Sequence, residues 1–347
     1  MKSTFWGVVG SFYIPFLYFF PATLLGLGSG IFSEDIPGWY KAARFLVILG
    51  LVGCHQLKFK PPLIFLLGLL SVAIFHFDGQ WVAVFLLSII LIYVILNFDF
   101  TLLSIKHFYI LSSLMILAGM AEVFQLYDSP HSYAGVTRVV STLGGPNNAG
   151  IVSAAFCLFF LNKFKQGYRY LDLVYSVLSL LILFLTGSIS SLIAFALVSI
   201  YVDKRIVLIF LLTLLLTLLD PSSYIFLKFE NIYEGLLYGE SSLSRTTVDR
   251  LDMIQDFISI ITTPAGFIWG SDYVAESDGL NVFGRFGFLG FAFFLMFICS
   301  LNFSIYLSLG MIQSLFTPFW FSFPSLSIIL FISEYVRKNG YGIVKSS

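Results

Sequence analysis

An arginine upstream of a turn rich in glycine, proline and asparagine is the most chemically suggestive feature of this 347-residue sequence. Arg138 precedes Leu143-Gly144-Gly145-Pro146-Asn147-Asn148-Ala149-Gly150. Proline suits a first helical turn, where its missing N–H would have no partner anyway. A helix starting here offers its amides and the positive end of its dipole to an anion. A guanidinium beside them, with Asn147 and Asn148, makes a phosphate site, because its planar fork grips two oxygens at once. The same residues also fit a structural turn, with Arg138 paired to a lipid phosphate or to Asp128.

Three more segments carry chemistry. Thr186-Gly187-Ser188-Ile189-Ser190-Ser191 forms a tight turn whose hydroxyls can cap the following helix. Glu276-Ser277-Asp278-Gly279 supplies two carboxylates. Either is a candidate general base if a hydroxyl nucleophile comes within hydrogen-bond reach. At a helix start, Asp278 is equally an ordinary cap. Arg245 and Arg250 are further phosphate candidates, or else ion-pair partners of nearby acids.

These segments need elements to position them, and composition says which. Hydrophobic residues make up 58% of the chain and charged residues 11%, and mean hydropathy is +0.93. Soluble domains carry roughly a quarter charged residues. The apolar runs are long enough to cross a bilayer, which takes about 20 helical residues. Alternating ten-residue segments, the mark of a membrane β-barrel, are absent. The expected fold is an all-α polytopic membrane protein of about 12 transmembrane helices (range 10–13), forming a single integral membrane domain over 1–347. The spans fall at 5–27, 41–56, 62–76, 81–97, 108–127 and 146–162, then 171–186, 188–203, 206–220, 279–300, 303–316 and 322–336. The run from Phe5 to Leu27 has no clear small-residue cleavage site and reads as the first membrane helix.

Charge sets the orientation. Twelve of the 19 lysines and arginines fall on one side, among them Lys58, Lys60, Lys106, Lys163, Lys165 and Arg169. The positive-inside rule makes that side cytoplasmic, with both termini there. Two larger connections then lie outside, at 127–145 and 221–278. The second is far longer than a connector needs. Within 222–279 nine acids face three bases. Val248, Leu251, Ile254, Phe257, Ile258 and Ile261 recur there at helical spacing, with Asp249, Asp252 and Asp256 opposite. That pattern predicts an amphipathic helix, opened by a Thr246–Asp249 capping box and stopped by Thr262-Thr263-Pro264, lying on the membrane surface or capping a cavity.

Other chemistries are poorly supplied. Net charge is zero, so no basic surface argues for nucleic acid. His55, His76, His107 and His131 are scattered without metal-ligand spacing, and only His131 falls in an outer loop. Cys54, Cys157 and Cys299 read as small buried hydrophobes. There is no P-loop and no G-x-S-x-G elbow.

Taken in order, the motifs resemble the bacterial O-antigen polymerase and O-antigen ligase superfamily. Arg138 with Ser141-Thr142-Leu143-Gly144-Gly145-Pro146-Asn147-Asn148 is similar to its "R..GTFGNPN" segment. Thr186-Gly187-Ser188 resembles its "TGSR" turn, with Ile189 in place of the arginine. Ser244-Arg245 resembles the "SR" opening the amphipathic helix of the large periplasmic loop, and Gly287-Phe288-Leu289-Gly290 the "GxxG" of the next membrane helix. The resemblance implies a glycosyltransferase at the periplasmic face of the bacterial inner membrane, acting on undecaprenyl-pyrophosphate-linked oligosaccharide. It implies that Arg138 and Arg245 hold the pyrophosphate, that no metal or nucleotide-sugar cofactor is needed, and that membrane lipid, a chain-length regulator and a flippase are partners. Ligases of the superfamily carry a histidine near the end of the large loop, whereas this sequence has none after His131. Glu276 and Asp278 occupy that place, which favours a polymerase over a ligase. A third reading, from a different class, is a flippase for the same lipid-linked repeat. Transporters place ionisable groups near the midplane, while the polar residues here concentrate on one face.

Overall fold

The computed structural model describes residues 60–97, 105–124, 132–133, 136–139, 143, 145–167, 169–220, 223–227, 230, 233, 245–275, 277–301, 304–317, 319–320 and 323–339. The spans expected at 5–27 and 41–56 lie outside the described residues. The chain is mostly helical. In order, the helices are α1 (Pro61–Phe75), α2 (Gly79–Asn97), α3 (Ile105–Val123), α4 (Pro146–Gly167), α5 (Tyr170–Leu185), α6 (Ile189–Val202), α7 (Lys204–Leu218), α8 (Arg245–Ile261), α9 (Pro264–Trp269), α10 (Asp278–Ser300), α11 (Ile305–Ser314) and α12 (Phe323–Lys338). The connection after α3 holds a two-residue antiparallel ladder, Ser132–Tyr133 with Val136–Thr137.

One helix, Asp278–Ser300, is long and apolar enough to cross a membrane among the described residues. Several shorter apolar helices accompany it, including Pro61–Phe75, Tyr170–Leu185 and Ile189–Val202. They lie within a few residues of the expected spans. One helix sequence reasoning overlooked is α9: Pro264 ends α8 as expected and also begins α9, whose start is capped by the Thr263 hydroxyl accepting from Gly266 N.

The centre of the bundle is α4. Every residue from Ala149 to Phe160 is buried, the pattern of a helix enclosed on all sides. It packs against α5, α6, α11 and α12. The opposite case is α7, where Leu208, Leu211, Leu212, Leu215 and Leu216 are all more than half exposed. Charge marks one end of this bundle: Lys165 near the end of α4 meets Asp203, between α6 and α7, at 2.5 Å. The start of α4, carrying Asn147 and Asn148, is the other end.

The sequence suggests α10 is one continuous helix, but it is broken at Gly287, with φ 63° and ψ −164°. That region belongs essentially to glycine. The break arises because the end of α9 packs directly on it: a Cβ at 287 would sit 2.2 Å from Ile268 O, and Ser271 N donates to Gly284 O at 2.7 Å. Gly287→Ala should therefore lower the melting temperature of the purified protein, since such a backbone costs a side-chain-bearing residue about 1–3 kcal/mol before the clash is counted. Gly279→Ala is the control, because its Cβ would meet nothing nearer than Phe291 at 3.9 Å. Equal melting of the two variants would show that the break is not needed.

Beside this junction, α1 and α10 enclose an apolar cleft of about 370 Å³, lined by Gly68, Val72, Phe75, Trp269, Phe286 and Phe293 among others. His76 also lines it, its ring nitrogens 2.9 Å from Val72 O and 2.7 Å from Trp269 O.

Candidate functional site

The loop that carries Arg138 is anchored to the turn between α5 and α6. Val139 N donates to Leu185 O at 3.2 Å, and Arg138 Nε donates to Thr186 O at 3.0 Å. The guanidinium carbon lies 4.3 Å from the centroid of the Tyr224 ring, a cation–π distance. Burial pulls the basicity of Arg138 below its ordinary value, yet a guanidinium stays charged in proteins. This places a half-buried cation beside the Thr186 turn.

Asn147 belongs to the same constellation. Its side-chain carbonyl accepts from Ser188 Oγ at 2.9 Å. Its backbone carbonyl accepts from Ser191 Oγ at 3.3 Å and Gln313 Nε2 at 3.2 Å. Ser191 Oγ also reaches Gln313 Oε1 at 3.0 Å and Ser188 Oγ at 2.8 Å. Ser188 caps α6, its side chain accepting from Ser191 N. Asn148 faces a different neighbour, with its side-chain oxygen accepting from Ser325 Oγ at 3.2 Å. The first turns of α4 and α6 are thus tied together, and both to α11. Arg138, Asn147 and the 186–191 turn, singled out by sequence, form one polar cluster.

The third segment joins the cluster through side chains that bond the backbone at the end of α11 and beyond it. Asp278 is 3% exposed, and its Oδ2 accepts from Phe319 N at 2.6 Å and Trp320 N at 2.7 Å. One step earlier, Ser277 Oγ donates to Ser314 O at 3.1 Å. The start of α10 therefore grips the chain between α11 and α12. Thr317 in that stretch lies 3.4 Å from Ser190 Oγ. The carboxylate that sequence offers as a base has one oxygen committed to the protein's own amides. Glu276 and His131 lie outside the described residues.

Arg245 opens α8 and Arg250 follows in its second turn; their side chains lie outside the described residues. The helix itself packs on α9 and α10, with Phe257 against Tyr273 and Phe283 at ring distances of 5.8 and 5.6 Å. Tyr273 adds a bond to Met253 O at 2.8 Å. Ile254 and Ile258 are about half exposed. Arg138, Asn147 and Asn148 thus sit in one described neighbourhood, Asp278 borders it, and Arg245 and Arg250 belong to a different element.

Sequence reading missed Gln313, Thr317, Ser325 and Tyr224. Gln313 had a signal, an amide in a largely apolar run, and the structure buries it fully; polar side chains hydrogen-bond across helices in such settings. Tyr224 had none, being one of 18 tyrosines. Compared with protein-family models, curated proteins and solved structures, the chain matches none of them.

Proposed function

We propose that the chain is a membrane-embedded polymerase of lipid-linked polysaccharide repeat units, an O-antigen or a related surface polysaccharide, working at the periplasmic face of a bacterial inner membrane. About twelve helices cross the bilayer in this reading, with the lysine-rich connections on the cytoplasmic side. The exposed leucines of α7 support it, because in water such a face would be an aggregation liability and in lipid it is ordinary. What carries the functional reading is one observation: Arg138 is fastened to the turn that begins α6, beside the start of α4.

The chemistry follows from that arrangement. An acceptor hydroxyl on a new lipid-linked repeat attacks the anomeric carbon of the growing glycan. The bond from that carbon to the pyrophosphate oxygen breaks, and the hydroxyl proton is lost. The products are the lengthened glycan on its new carrier and undecaprenyl pyrophosphate. Negative charge builds on the departing pyrophosphate, where a guanidinium held in a poorly hydrated site stabilises it. Arg245 and Arg250 are further candidates for the same charge, and Glu276 is the carboxylate best left to accept the proton.

Purified protein incubated with a defined undecaprenyl-pyrophosphate repeat unit should yield a ladder of polymer lengths. Transfer only onto a lipid A core acceptor would make the chain a ligase, and no transfer to either would favour a flippase. Orientation has its own test. With native cysteines replaced, single cysteines at Ser132, Ser241 and Ser271 should label from the periplasm, and one at Gln166 only after permeabilisation. Periplasmic labelling at Gln166 would overturn the topology.

A further inference from the structure

We infer that Tyr224 is a positioning residue for Arg138, holding its guanidinium over the anion site through the aromatic face. The inference rests on the reading above, in which Arg138 binds the pyrophosphate of the lipid-linked donor.

Tyr224 lies at the very start of the long connection after α7, far in sequence from Arg138. That start is a built turn. Ser223 Oγ donates back to Thr217 O at 2.6 Å and accepts from Phe226 N at 3.1 Å, and Ile225 is 2% exposed. The turn therefore has a fixed direction off the end of α7, and the ring it carries is delivered to one place.

That place is the turn between α5 and α6. Gly187 adopts φ +58°, and a Cβ there would lie 2.3 Å from Tyr224 Cδ1. The ring can approach only because residue 187 has no side chain. So placed, the ring lies 4.3 Å from the Arg138 guanidinium carbon, while the neighbouring Thr186 carbonyl takes the Nε–H at 3.0 Å. Two supports from two different connections thus fix one long side chain. An arginine otherwise loses much rotamer freedom on binding a ligand, and pre-ordering removes that penalty before the ligand arrives. The glycine of Thr186-Gly187-Ser188 gains a role with no phosphate contact of its own: it makes room for the ring.

The test compares two probes, undecaprenyl pyrophosphate and undecaprenol, binding to the full chain in nanodiscs. They share the hydrocarbon chain and differ in the anion. Wild-type protein should prefer the pyrophosphate, and Arg138→Ala should lose the preference. Tyr224→Leu should cut it about tenfold, roughly the penalty of ordering one freed arginine side chain on binding. Tyr224→Phe, which keeps the ring face, should stay within about twofold of wild type. Undecaprenol affinity should not change in any of them, a selectivity that a general packing defect would not produce. Tyr224→Gln serves as a second ring deletion should the leucine variant fail to insert. A wild-type protein without the preference, or an Arg138→Ala variant that keeps it, would sink the pyrophosphate site itself. Loss in Arg138→Ala but full preference in Tyr224→Leu or Tyr224→Gln would leave that site standing and refute the role of Tyr224.

Discussion

Replacing Arg138 with alanine should abolish polymer while the protein still accumulates in the membrane at its normal level. The expectation joins an observed geometry to the proposed chemistry. The guanidinium sits in a half-buried position tied to Thr186 O and Tyr224, and the proposed leaving group gains charge as the glycosidic bond breaks. Removing a single well-placed donor from such a site typically costs about 10²–10³ in rate, and removal of the whole charge should cost at least as much. Arg138→Lys separates charge from geometry. Lysine restores a cation but has no Nε–H to give Thr186 and no planar fork for two phosphate oxygens. It should therefore rescue only part of the activity, seen as a short, faint ladder. Insertion is expected to survive because the backbone bond from Val139 N to Leu185 O does not involve the side chain. Full-length polymer from Arg138→Ala would mean that the pyrophosphate site lies elsewhere, with Arg245 and Arg250 the next to examine.

Much of the helical framework was legible because apolar runs bounded by lysines, glycines and prolines leave few alternatives. The start of α4 at Pro146 is an example: proline is strongly favoured in a first turn, so the residue itself pointed to the boundary. The break in α10 was not legible. Gly287 looks like any small residue in a membrane helix until the end of α9 is seen to occupy the space its Cβ would fill. The same distinction runs through the site. Arg138, Asn147 and the 186–191 turn were visible because arginine, asparagine and clustered serines stand out in an apolar chain. Their convergence on Gln313 was not, since it depends on how α11 packs against α4 and α6. Periodicity reports the face a residue takes on its own helix but not its neighbour on another. The role of Asp278 was open for the same reason: a carboxylate at a helix start reads identically whether it faces a substrate or backbone amides 41 and 42 residues away.

Asp278→Ala and Asp278→Asn should behave very differently, and the difference decides between those two roles. The carboxylate accepts from Phe319 N and Trp320 N through Oδ2, in a setting where the residue is 3% exposed. Alanine leaves both donors without this acceptor. A buried donor left unsatisfied costs about 1–3 kcal/mol, so losing two is a large fraction of a typical stability of about 5–15 kcal/mol. Asp278→Ala should melt well below wild type in detergent, and what polymerisation it loses should follow the loss of folded protein. Asparagine keeps a carbonyl oxygen at the same reach, able to accept two hydrogen bonds. It should fold normally and retain polymerisation within about tenfold of wild type. A general base predicts otherwise, because an amide cannot take the acceptor proton and a loss of about 10²–10⁴ would follow. The deciding measurement is initial polymerisation rate per unit of folded protein for both variants. A well-folded but inactive Asp278→Asn would restore this carboxylate to the chemistry, whereas an active one leaves the proton to Glu276 or to no protein base at all, with stabilisation of the departing pyrophosphate driving the reaction.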